Sequence, residues 1–519
     1  MINLRAAFCA ALFMFCNVGA AWADDVTLTS HDGAVEIGGT LLGFDGEFYR
    51  LDTIYGELTV DGTGVICAGP GCPNLTDYVA EVTISGSESM AEVLIPALIE
   101  AFALRNGYNV ERESASKTTF EYHISNGTSN KLMGKFLFNA SNADEGFADL
   151  LADEADIAMS LREVRPAEVA HGKEAGLGDL NAANRSRVLA LDALVPVVAP
   201  GNPVTTISPD NLASVLAGKI DNWSALGGPD APIDLFLLTE KSGLTQAIQD
   251  QLLTPVKLRI TDTAQRFARN AELTDAITRA PFGLGIVSYA DTGNTQKLTL
   301  TSGCGFSLDV TRRNVKTEDY PLTSPMFLYM PARRLPKLAR DFLTYTRSPS
   351  AQVVIRRAGF VDQSPEEVGI SLQGDRLANA IASAGKDVTL PQLQHMIGTL
   401  SSMKRLTTSF RFQAGSSQLD AQSRSNVRQL ARALENGTYD GRNLAFVGFS
   451  DGDGPAAGNL TIGETRAEAV RRAVVAAAEA ANMERVDVDV LSFGEALPMA
   501  CDTSAWGRQV NRRVEVWVK

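Results

Sequence analysis

The sequence predicts an α/β protein in which a small β module comes first, a large α/β region follows, and a compact α+β domain ends the chain. Three observations predict this order. Residues 24–80 alternate apolar and polar side chains. Residues 81–362 alternate short apolar strands with amphipathic helices. A polar, helix-prone connector follows at 363–404, and residues 405–519 again alternate strands with helices. A chain of 519 residues is also too long for one hydrophobic core.

The first 23 residues have the layout of a secretory signal peptide. Arg5 supplies a positive charge, an apolar run follows, and "AWA" at 21–23 offers small residues for cleavage. The apolar run is shorter than the roughly 20 residues that a membrane-spanning helix needs. We therefore expect cleavage after Ala23 and a soluble, exported chain.

The first module, residues 24–80, is punctuated by Asp-Gly pairs. Asp32-Gly33, Asp45-Gly46 and Asp61-Gly62 are dipeptides that favour tight hairpin turns. The segment carries no constellation of catalytic residues, so we interpret it as an accessory packing or interaction module.

Four cysteines remain once the signal peptide is removed. "CAGPGC" closes a short Gly/Pro loop, and an oxidising compartment favours a disulfide between Cys67 and Cys72. A metal site there would need further ligands, and the chain contains only four histidines. Cys304 and Cys501 are compatible with a bridge or with two reduced thiols, and both states stay open.

Composition argues against several functional classes. The net charge of −14 and the pI near 4.9 disfavour nucleic acid as a partner. None of the histidines stands in a motif beside a candidate serine nucleophile, and no Walker-type phosphate loop is present. We therefore expect a binding protein without cofactors rather than an enzyme.

Repeated strand-helix units between 81 and 362 predict a mostly parallel sheet. In the first unit the apolar residues from Met90 to Phe102 recur at helical spacing. Further along, "SPDNLASVLAGKI" predicts a helix with Ser208 as N-cap and Pro209 in the first turn.

Hydroxyl-rich turns recur in this region at the predicted strand-to-helix junctions. They lie at residues 85–89, 114–120, 158–164 and 240–245. Helix N-termini present free N–H groups and a partial positive charge, so several of them converging form an anion site. Each turn alone is equally well explained as an ordinary helix cap. Four such turns in one region favour the anion site.

The same region resembles the phosphate-binding subunit of phosphate ABC transporters, a family of periplasmic solute-binding proteins. The resemblance rests on "SGSESMAEVLIPALIEAFALRNG", "ADIAMSLREVRPAE", "LALDALVPVVAPGNPV", "LAGKIDNWSALGG" and "EKSGLTQAI", in this order. It implies two α/β lobes joined by crossing strands, with a dehydrated oxyanion, phosphate, held between them. It also implies an ABC permease as a partner.

Carried over by position, the resemblance implies anion contacts from eight residues: Ser87, Ser89, Ser116, Thr118, Ser160, Arg162, Ser242 and Gly243. Two departures from the pattern of that family stand out. Leu244 separates the Ser-Gly pair from Thr245, and Glu88 places a carboxyl group inside the first turn. A carboxylate at this point repels an anion unless it faces solvent or acts as a hydrogen-bond acceptor.

Near the C-terminus, Asp451 lies in a glycine-rich loop and precedes Arg466 by fifteen positions. A carboxylate beside a guanidinium suits a ligand that carries both an ammonium and a carboxylate group. The whole segment resembles the peptidoglycan-associating domain of the outer-membrane protein A family. The matching stretches are "FRFQAGSSQLDAQSRSNVRQLARAL", "VGFSDGDGPAAGNLTIGETRAEAVRRAV" and "GRQVNRRVEVWV".

This second resemblance implies that Asp451 and Arg466 grip the diaminopimelate side chain of peptidoglycan stem peptides. Asn459, Arg512 and Arg513 are implied to shape or support the pocket. The departures from the family pattern are Ser450, Ile462 and Gly463, the last at the position expected to start the helix.

Together these features predict a periplasmic binding protein that is anchored noncovalently to the cell wall near the outer membrane. Its expected ligand is an oxyanion, and the resemblance implies phosphate. An alternative is an envelope-organising protein whose solute-binding region has lost its ligand. Glu88 motivates it, as does "LLTEK" before Ser242, where many family members have an arginine. A second alternative is a cell-wall enzyme that uses the C-terminal domain for targeting.

Overall fold

The computed structural model describes residues 25–519 except 76, 183, 303, 305, 385–386, 414–415 and 417. The expected signal peptide lies outside the described residues. The chain forms two compact units, one ending at Ala80 and one running from Glu81 to Lys519. In the described residues, no helix combines the length and the apolar character required to cross a bilayer.

The N-terminal unit is an antiparallel sheet with strand order β4-β3-β2-β1-β5. Its strands are β1 Val26–Ser30, β2 Glu36–Phe44, β3 Phe48–Thr53, β4 Gly56–Asp61 and β5 Val65–Ala68. The first two Asp-Gly pairs lie in the predicted hairpin turns, with φ of 72° at Gly33 and 93° at Gly46. The third pair leads from β4 toward β5. A disulfide joins Cys67 and Cys72, as predicted.

The larger unit opens with a first lobe in which helices cover a mixed sheet. Its elements are β6 Ala80–Ser87, α1 Ile95–Asn106, β7 Tyr108–Ser114, β8 Thr119–Asn126, β9 Leu132–Ser141, α2 Ala143–Leu151, β10 Ile157–Ser160 and α3 Pro166–Glu174. A π-helical turn, Met90–Leu94, leads into α1. Strand β6 pairs in parallel with β10, whereas β7, β8 and β9 form antiparallel hairpins.

The second lobe follows the long strand β11, Ser186–Val198. Its elements are β12 Thr206–Ile207, α4 Pro209–Leu216, β13 Asp234–Leu238, α5 Gly243–Ile248, β14 Gln265–Phe267, α6 Asn270–Arg279, β15 Gly283–Ser288, β16 Gln296–Lys297, β17 Thr299–Thr301 and β18 Ser307–Leu308. Ser208 caps α4 by accepting a hydrogen bond from the Asn211 backbone N–H, and Pro209 is its first residue, as predicted.

Two strands run between the lobes. The chain returns through α7 Arg312–Lys316 and β19 Thr323–Tyr329, and continues with α8 Lys337–Tyr345 and α9 Pro349–Arg357. One end of β11 pairs with β19 and the other end pairs with β15, so the main sheet order is β14-β13-β15-β11-β19-β10-β6-β9-β8-β7. The two-lobed α/β fold is confirmed, but the expectation of a mostly parallel sheet is wrong. The hairpins β7-β8-β9 and the return strand β19 are antiparallel.

The C-terminal sheet has the order β20-β21-β24-β22-β23. Its elements are β20 Glu367–Val368, α10 Gly374–Ser383, α11 Leu390–Leu400, β21 Lys404–Arg411, α12 Ala421–Glu435, β22 Asn443–Phe449, α13 Ala456–Ala477, β23 Asp487–Gly494, α14 Ala505–Asn511 and β24 Arg513–Val518. Helices α12 and α13 pack on one face, around Leu430 and Val470.

Helices α10 and α11 of the predicted connector pack on the opposite face of this sheet, around Met396 and Trp517. Helices therefore cover both faces of this sheet, because the connector supplies the second layer. The connector contains apolar side chains at helical spacing, and they are buried against the second face of the sheet.

The C-terminal sheet is attached to both lobes. Arg405 on β21 donates to the Asp319 carboxylate at 2.6 and 3.0 Å, with both side chains buried. The backbone N–H of Ala421 donates to Glu163, which follows β10 in the first lobe, at 2.8 Å. A disulfide joins Cys304, between β17 and β18, to Cys501. Of the two alternatives for these cysteines, the structure therefore has the bridge.

Candidate functional sites

The first candidate site lies where β6 ends. Ser87 is buried, and its hydroxyl oxygen lies 3.1 Å from that of Ser89. Gly86 adopts φ of 120°, and a β-carbon there would collide with the backbone of Met159 on the neighbouring strand β10. Only glycine therefore allows β6 to approach β10 this closely while the serine hydroxyls emerge at the strand end.

The turn after β13 meets the same point. Ser242 caps α5 by accepting from the Leu244 backbone N–H at 3.2 Å. A β-carbon on Gly243 would lie 3.3 Å from the Ser87 hydroxyl oxygen, so the first and fourth hydroxyl-rich turns are in direct contact. Since the two turns belong to different lobes, they come together across the cleft between the lobes.

A cavity of about 390 Å³ opens beside these turns. It is lined by Glu88, Ser89, Glu92, Ser242 and Arg269 among others. Burial, followed by the neighbouring carboxylate of Glu92, raises the pKa of Glu88 to about 7. The Arg269 guanidinium hydrogen-bonds to Glu272 at 2.8 Å, so a carboxylate already neutralises this cation.

The other predicted anion contacts lie outside the lining of this cavity. Ser160 is buried, donates to the backbone carbonyl of Arg162 at 2.7 Å and accepts from its N–H at 3.1 Å. The Arg162 guanidinium donates to Glu168 at 2.6 and 2.9 Å and to Asp144 at 2.5 Å. These carboxylates balance the charge of Arg162.

Ser116 and Thr118 lie in the hairpin turn between β7 and β8, where both are exposed and their hydroxyl oxygens are 3.3 Å apart. The prediction of a strand-to-helix junction at this turn is therefore wrong. The alternating "TFEYHI" that follows favours a strand, and it forms β8.

Sequence reasoning did not identify Glu92, Arg269, Asn270 or Ser288 as lining residues of the cavity. No local motif marks them. They reach the cavity because the π-helical turn before α1, the start of α6 and the end of β15 pack around it, which only the tertiary fold determines.

The second candidate site surrounds Asp451, two residues after β22. Its carboxylate accepts a hydrogen bond from the Arg512 guanidinium at 2.7 Å. Burial, followed by the positive charge of Arg512, lowers the pKa of Arg466, and Asp451 acts in the opposite direction. The three charged side chains therefore belong to one electrostatic neighbourhood.

Arg466 projects from the interior of α13. Its guanidinium carbon lies 5.4 Å from the ring centroid of Phe412, and its buried Nη1 has no hydrogen-bond partner among the described residues. A buried guanidinium N–H without a partner is energetically unfavourable. A ligand carboxylate would satisfy it with a charge-assisted hydrogen bond.

The remaining predicted residues surround this pair. Asn459 is buried in the first turns of α13 and donates to the Glu495 carboxylate at 2.5 Å. Arg513 is fully buried, donates to Glu515 at 2.8 Å and lies 4.4 Å from the Phe449 ring, so it supports the sheet from within.

Gly463 is not the start of a helix. Helix α13 begins at Ala456, more than a turn earlier, and Gly463 lies inside it. A β-carbon on Gly463 would lie 3.1 Å from the carbonyl oxygen of Gly448 on β22. The two glycines allow the helix to pack directly on the strand backbone, and this packing positions Arg466.

Comparisons with known proteins agree with this architecture. The family described as "PBP superfamily domain" matches residues 59–350, and the family described as "OmpA family" matches residues 411–512. The phosphate-binding protein PstS of Borreliella burgdorferi is 24% identical over 234 residues, which is 44% of this chain and 79% of that protein.

Two solved structures are also similar. An ABC-type phosphate transport receptor from Vibrio cholerae is 20% identical, covers 54% of this chain and 99% of its own, and has a TM-score of 0.42. The peptidoglycan-associated lipoprotein from Burkholderia pseudomallei is 26% identical, covers 21% of this chain and 89% of its own, and has a TM-score of 0.19. Since the first family match spans more than half of the chain, the protein belongs to the PBP superfamily and carries an OmpA-family domain at its C-terminus.

Proposed function

We propose that this protein binds a small oxyanion, phosphate, between its two lobes and docks on peptidoglycan through its C-terminal domain. It would act in the periplasm, anchored to the wall near the outer membrane, and deliver its anion to an ABC permease. The named relatives support the choice of phosphate, because PstS of Borreliella burgdorferi is a phosphate-binding protein.

The observation that carries the anion-binding half is the meeting of hydroxyl groups from both lobes. Ser87 and Ser89 come from the first lobe, and Ser242 and Gly243 come from the second. Hydroxyl and backbone N–H donors can hold an oxyanion without adding charge, and a ligand between them would hold the lobes together.

Calorimetric titration of the full-length mature chain with phosphate tests this half. Replacing both Ser87 and Ser242 with alanine removes two donors, and we expect phosphate affinity to fall about tenfold or more. Ser214→Ala, on the exposed face of α4, is the matched control and should bind phosphate like the wild type. Equal affinity in the double variant would contradict the assignment.

The wall-docking half rests on Asp451, Arg466 and Arg512. The partnerless Nη1 of Arg466 is a donor for a carboxylate, and Asp451 is an acceptor for an ammonium. The end group of diaminopimelate carries both charges on one carbon, which matches an acceptor and a donor placed side by side.

Co-sedimentation with purified sacculi tests the docking half. Asp451→Ala and Arg466→Ala should each abolish pelleting and leave phosphate binding unchanged. Arg472→Ala, an exposed arginine on the same helix, is the control and should pellet normally. The docking residues are wrongly assigned if both variants pellet like the wild type.

A second candidate function is that of an envelope-organising protein with an empty cleft. Glu88 and Glu92 in the cavity lining favour it. The two nearby arginines that the structure describes, Arg162 and Arg269, are already paired with carboxylates. Absence of heat or thermal shift with millimolar phosphate, combined with normal pelleting, would establish this candidate over the first.

A further inference from the structure

A second cavity, of about 310 Å³, lies between the lobes' sheet and the C-terminal domain. Its walls come from the start of β11, from the turn between α8 and α9, and from helix α12. This volume is at the lower end of the range of small-molecule sites. The cavity is separate in its lining residues from both candidate sites described above.

Four arginines line this cavity: Arg187, Arg347, Arg428 and Arg432. Arg187 is on β11 and Arg347 follows α8. Arg428 and Arg432 are one turn apart on α12, so their side chains share a helix face. Two parts of the fold that are distant in sequence therefore bring positive charge to one place.

Among the described residues, no carboxylate pairs with three of these arginines, Arg187, Arg347 and Arg432. None of the described lining residues is Asp or Glu. In the described part of the chain, no carboxylate oxygen lies within 4.0 Å of the guanidinium groups of Arg187, Arg347 or Arg432. The buried arginines Arg405 and Arg513 of the C-terminal domain differ, because each pairs with a carboxylate.

The hydrogen bonds of Arg187 leave part of its guanidinium unused. One terminal nitrogen donates to the Leu343 carbonyl and to the Thr346 hydroxyl, the latter at 3.1 Å. Its Nε is buried and has no hydrogen-bond partner among the described residues. Arg428 donates to the backbone carbonyl of Ser186 at 3.0 Å.

The arginines also destabilise one another's charged forms. Desolvation by the surrounding protein, followed by the charges of Arg432 and Arg428, lowers the pKa of Arg347 to about 10. Burial and the same neighbours lower the pKa of Arg187. Like charges held together without a counter-ion raise the free energy of the fold.

We propose that this cavity is an anion site for a small diphosphate, held jointly by the lobe and the C-terminal domain. A diphosphate carries about three negative charges at neutral pH, about −1.5 for each phosphate group, which is enough to balance Arg187, Arg347 and Arg432. Guanidinium groups hydrogen-bond to phosphate oxygens in pairs, which suits arginine better than lysine for this purpose.

Because β11 and α12 contribute different arginines, a bound diphosphate would bridge the solute-binding part of the molecule and the wall-docking domain. The ligand would then strengthen an interface that now places positive charge against positive charge. The site does not depend on phosphate binding in the cleft. The experiment therefore distinguishes diphosphate binding in this cavity from phosphate binding in the cleft.

The test is calorimetric and thermal titration of the full-length mature chain with inorganic pyrophosphate, without divalent cations. We expect saturable binding and a rise in Tm. In the double variant Arg347→Gln/Arg432→Gln, affinity should fall about ten- to hundredfold, as expected for loss of charge-assisted hydrogen bonds. Neither side chain has an ion-pair partner among the described residues, so the variant should fold, and its Tm without ligand should be equal or higher.

Two controls locate the binding. Arg472→Gln removes an exposed arginine from α13 and should bind pyrophosphate like the wild type. Ser87→Ala/Ser242→Ala changes the cleft and should also leave pyrophosphate binding intact. ADP distinguishes the source of the diphosphate, since equal binding of ADP indicates a diphosphate ester and binding of pyrophosphate alone indicates the free ion.

The proposal is overturned if pyrophosphate gives no heat at millimolar concentration, if the arginine double variant binds it as well as the wild type, or if the cleft variant is the one that loses it. Sulfate binding of equal strength at the same ionic strength would also overturn it, because the cavity would then attract any anion without selecting a diphosphate.

Discussion

Phosphate affinity should depend on pH through Glu88, which lies in the wall of the cleft beside Ser89. Its raised pKa means that it exchanges a proton near neutrality. Below pH 7 the neutral acid can donate a hydrogen bond to an anion. Above pH 7 the carboxylate repels the anion at short range in a partly buried site.

The magnitude follows from the protonated fraction. With a pKa of about 7, about 0.9 of Glu88 is neutral at about pH 6 and about 0.03 is neutral at about pH 8.5. If only the neutral form admits the anion, the apparent Kd is the intrinsic Kd divided by that fraction, so binding weakens about thirtyfold over this range.

The assay is phosphate calorimetry at both pH values and constant ionic strength, with the wild type and Glu88→Gln. Ionisation of phosphate itself affects both proteins equally, so the ratio of their pH dependences isolates Glu88. Glu240→Gln, an exposed carboxyl outside the cavity lining, is the control. The reasoning is refuted if Glu88→Gln shows the same pH dependence as the wild type.

Three further predictions concern the stability of the C-terminal region. Burial and neighbouring acids raise the pKa of Glu318 to about 8, so the stability that its protonated form contributes is lost as pH rises toward 8. Glu318→Gln should therefore reduce the fall in Tm between pH 5.5 and 9. An unchanged fall would contradict this. Gly448→Ala forces a β-carbon into the backbone of Gly463 and should lower the free energy of unfolding by about 1–3 kcal/mol in urea titrations, whereas an unchanged urea midpoint would rule out the tight contact. Arg405→Ala leaves the buried Asp319 carboxylate without its main partner and should cost about 3–5 kcal/mol in the same assay; a loss within error of zero would show that the pair is not buried in solution.

Much of the fold could be predicted because its signals are local. The Ser208-Pro209 start of α4 follows from capping, and the strand β22 follows from a short continuous apolar run. The start of α13 could not be predicted in this way. Gly463 resembles a helix boundary in sequence, and only its contact with Gly448 explains why a glycine is inside the helix.

The same distinction between local signals and long-range packing applies to the candidate sites. The electrostatic proximity of Asp451 and Arg466 could be predicted because a loop and the following helix belong to one supersecondary unit, whereas their role in binding a ligand stays a prediction. The contribution of Arg512 to that pair, and the cluster around Arg187 and Arg432, depend on packing between segments far apart in the chain. Periodicity and spacing carry no information about such distant contacts.

The attachment of the C-terminal domain to both lobes has a mechanical consequence. The Cys304–Cys501 bridge attaches it beyond β17 on the second lobe, and the hydrogen bond to Glu163 attaches it to the first. If the lobes separate, these attachments must shear or stretch, which two lobes joined by β11 and β19 alone would not require. The domain therefore restrains motion between the lobes, and exchange of the anion proposed for the cleft should be slower in the intact chain than in a chain cut between the lobes and the C-terminal domain.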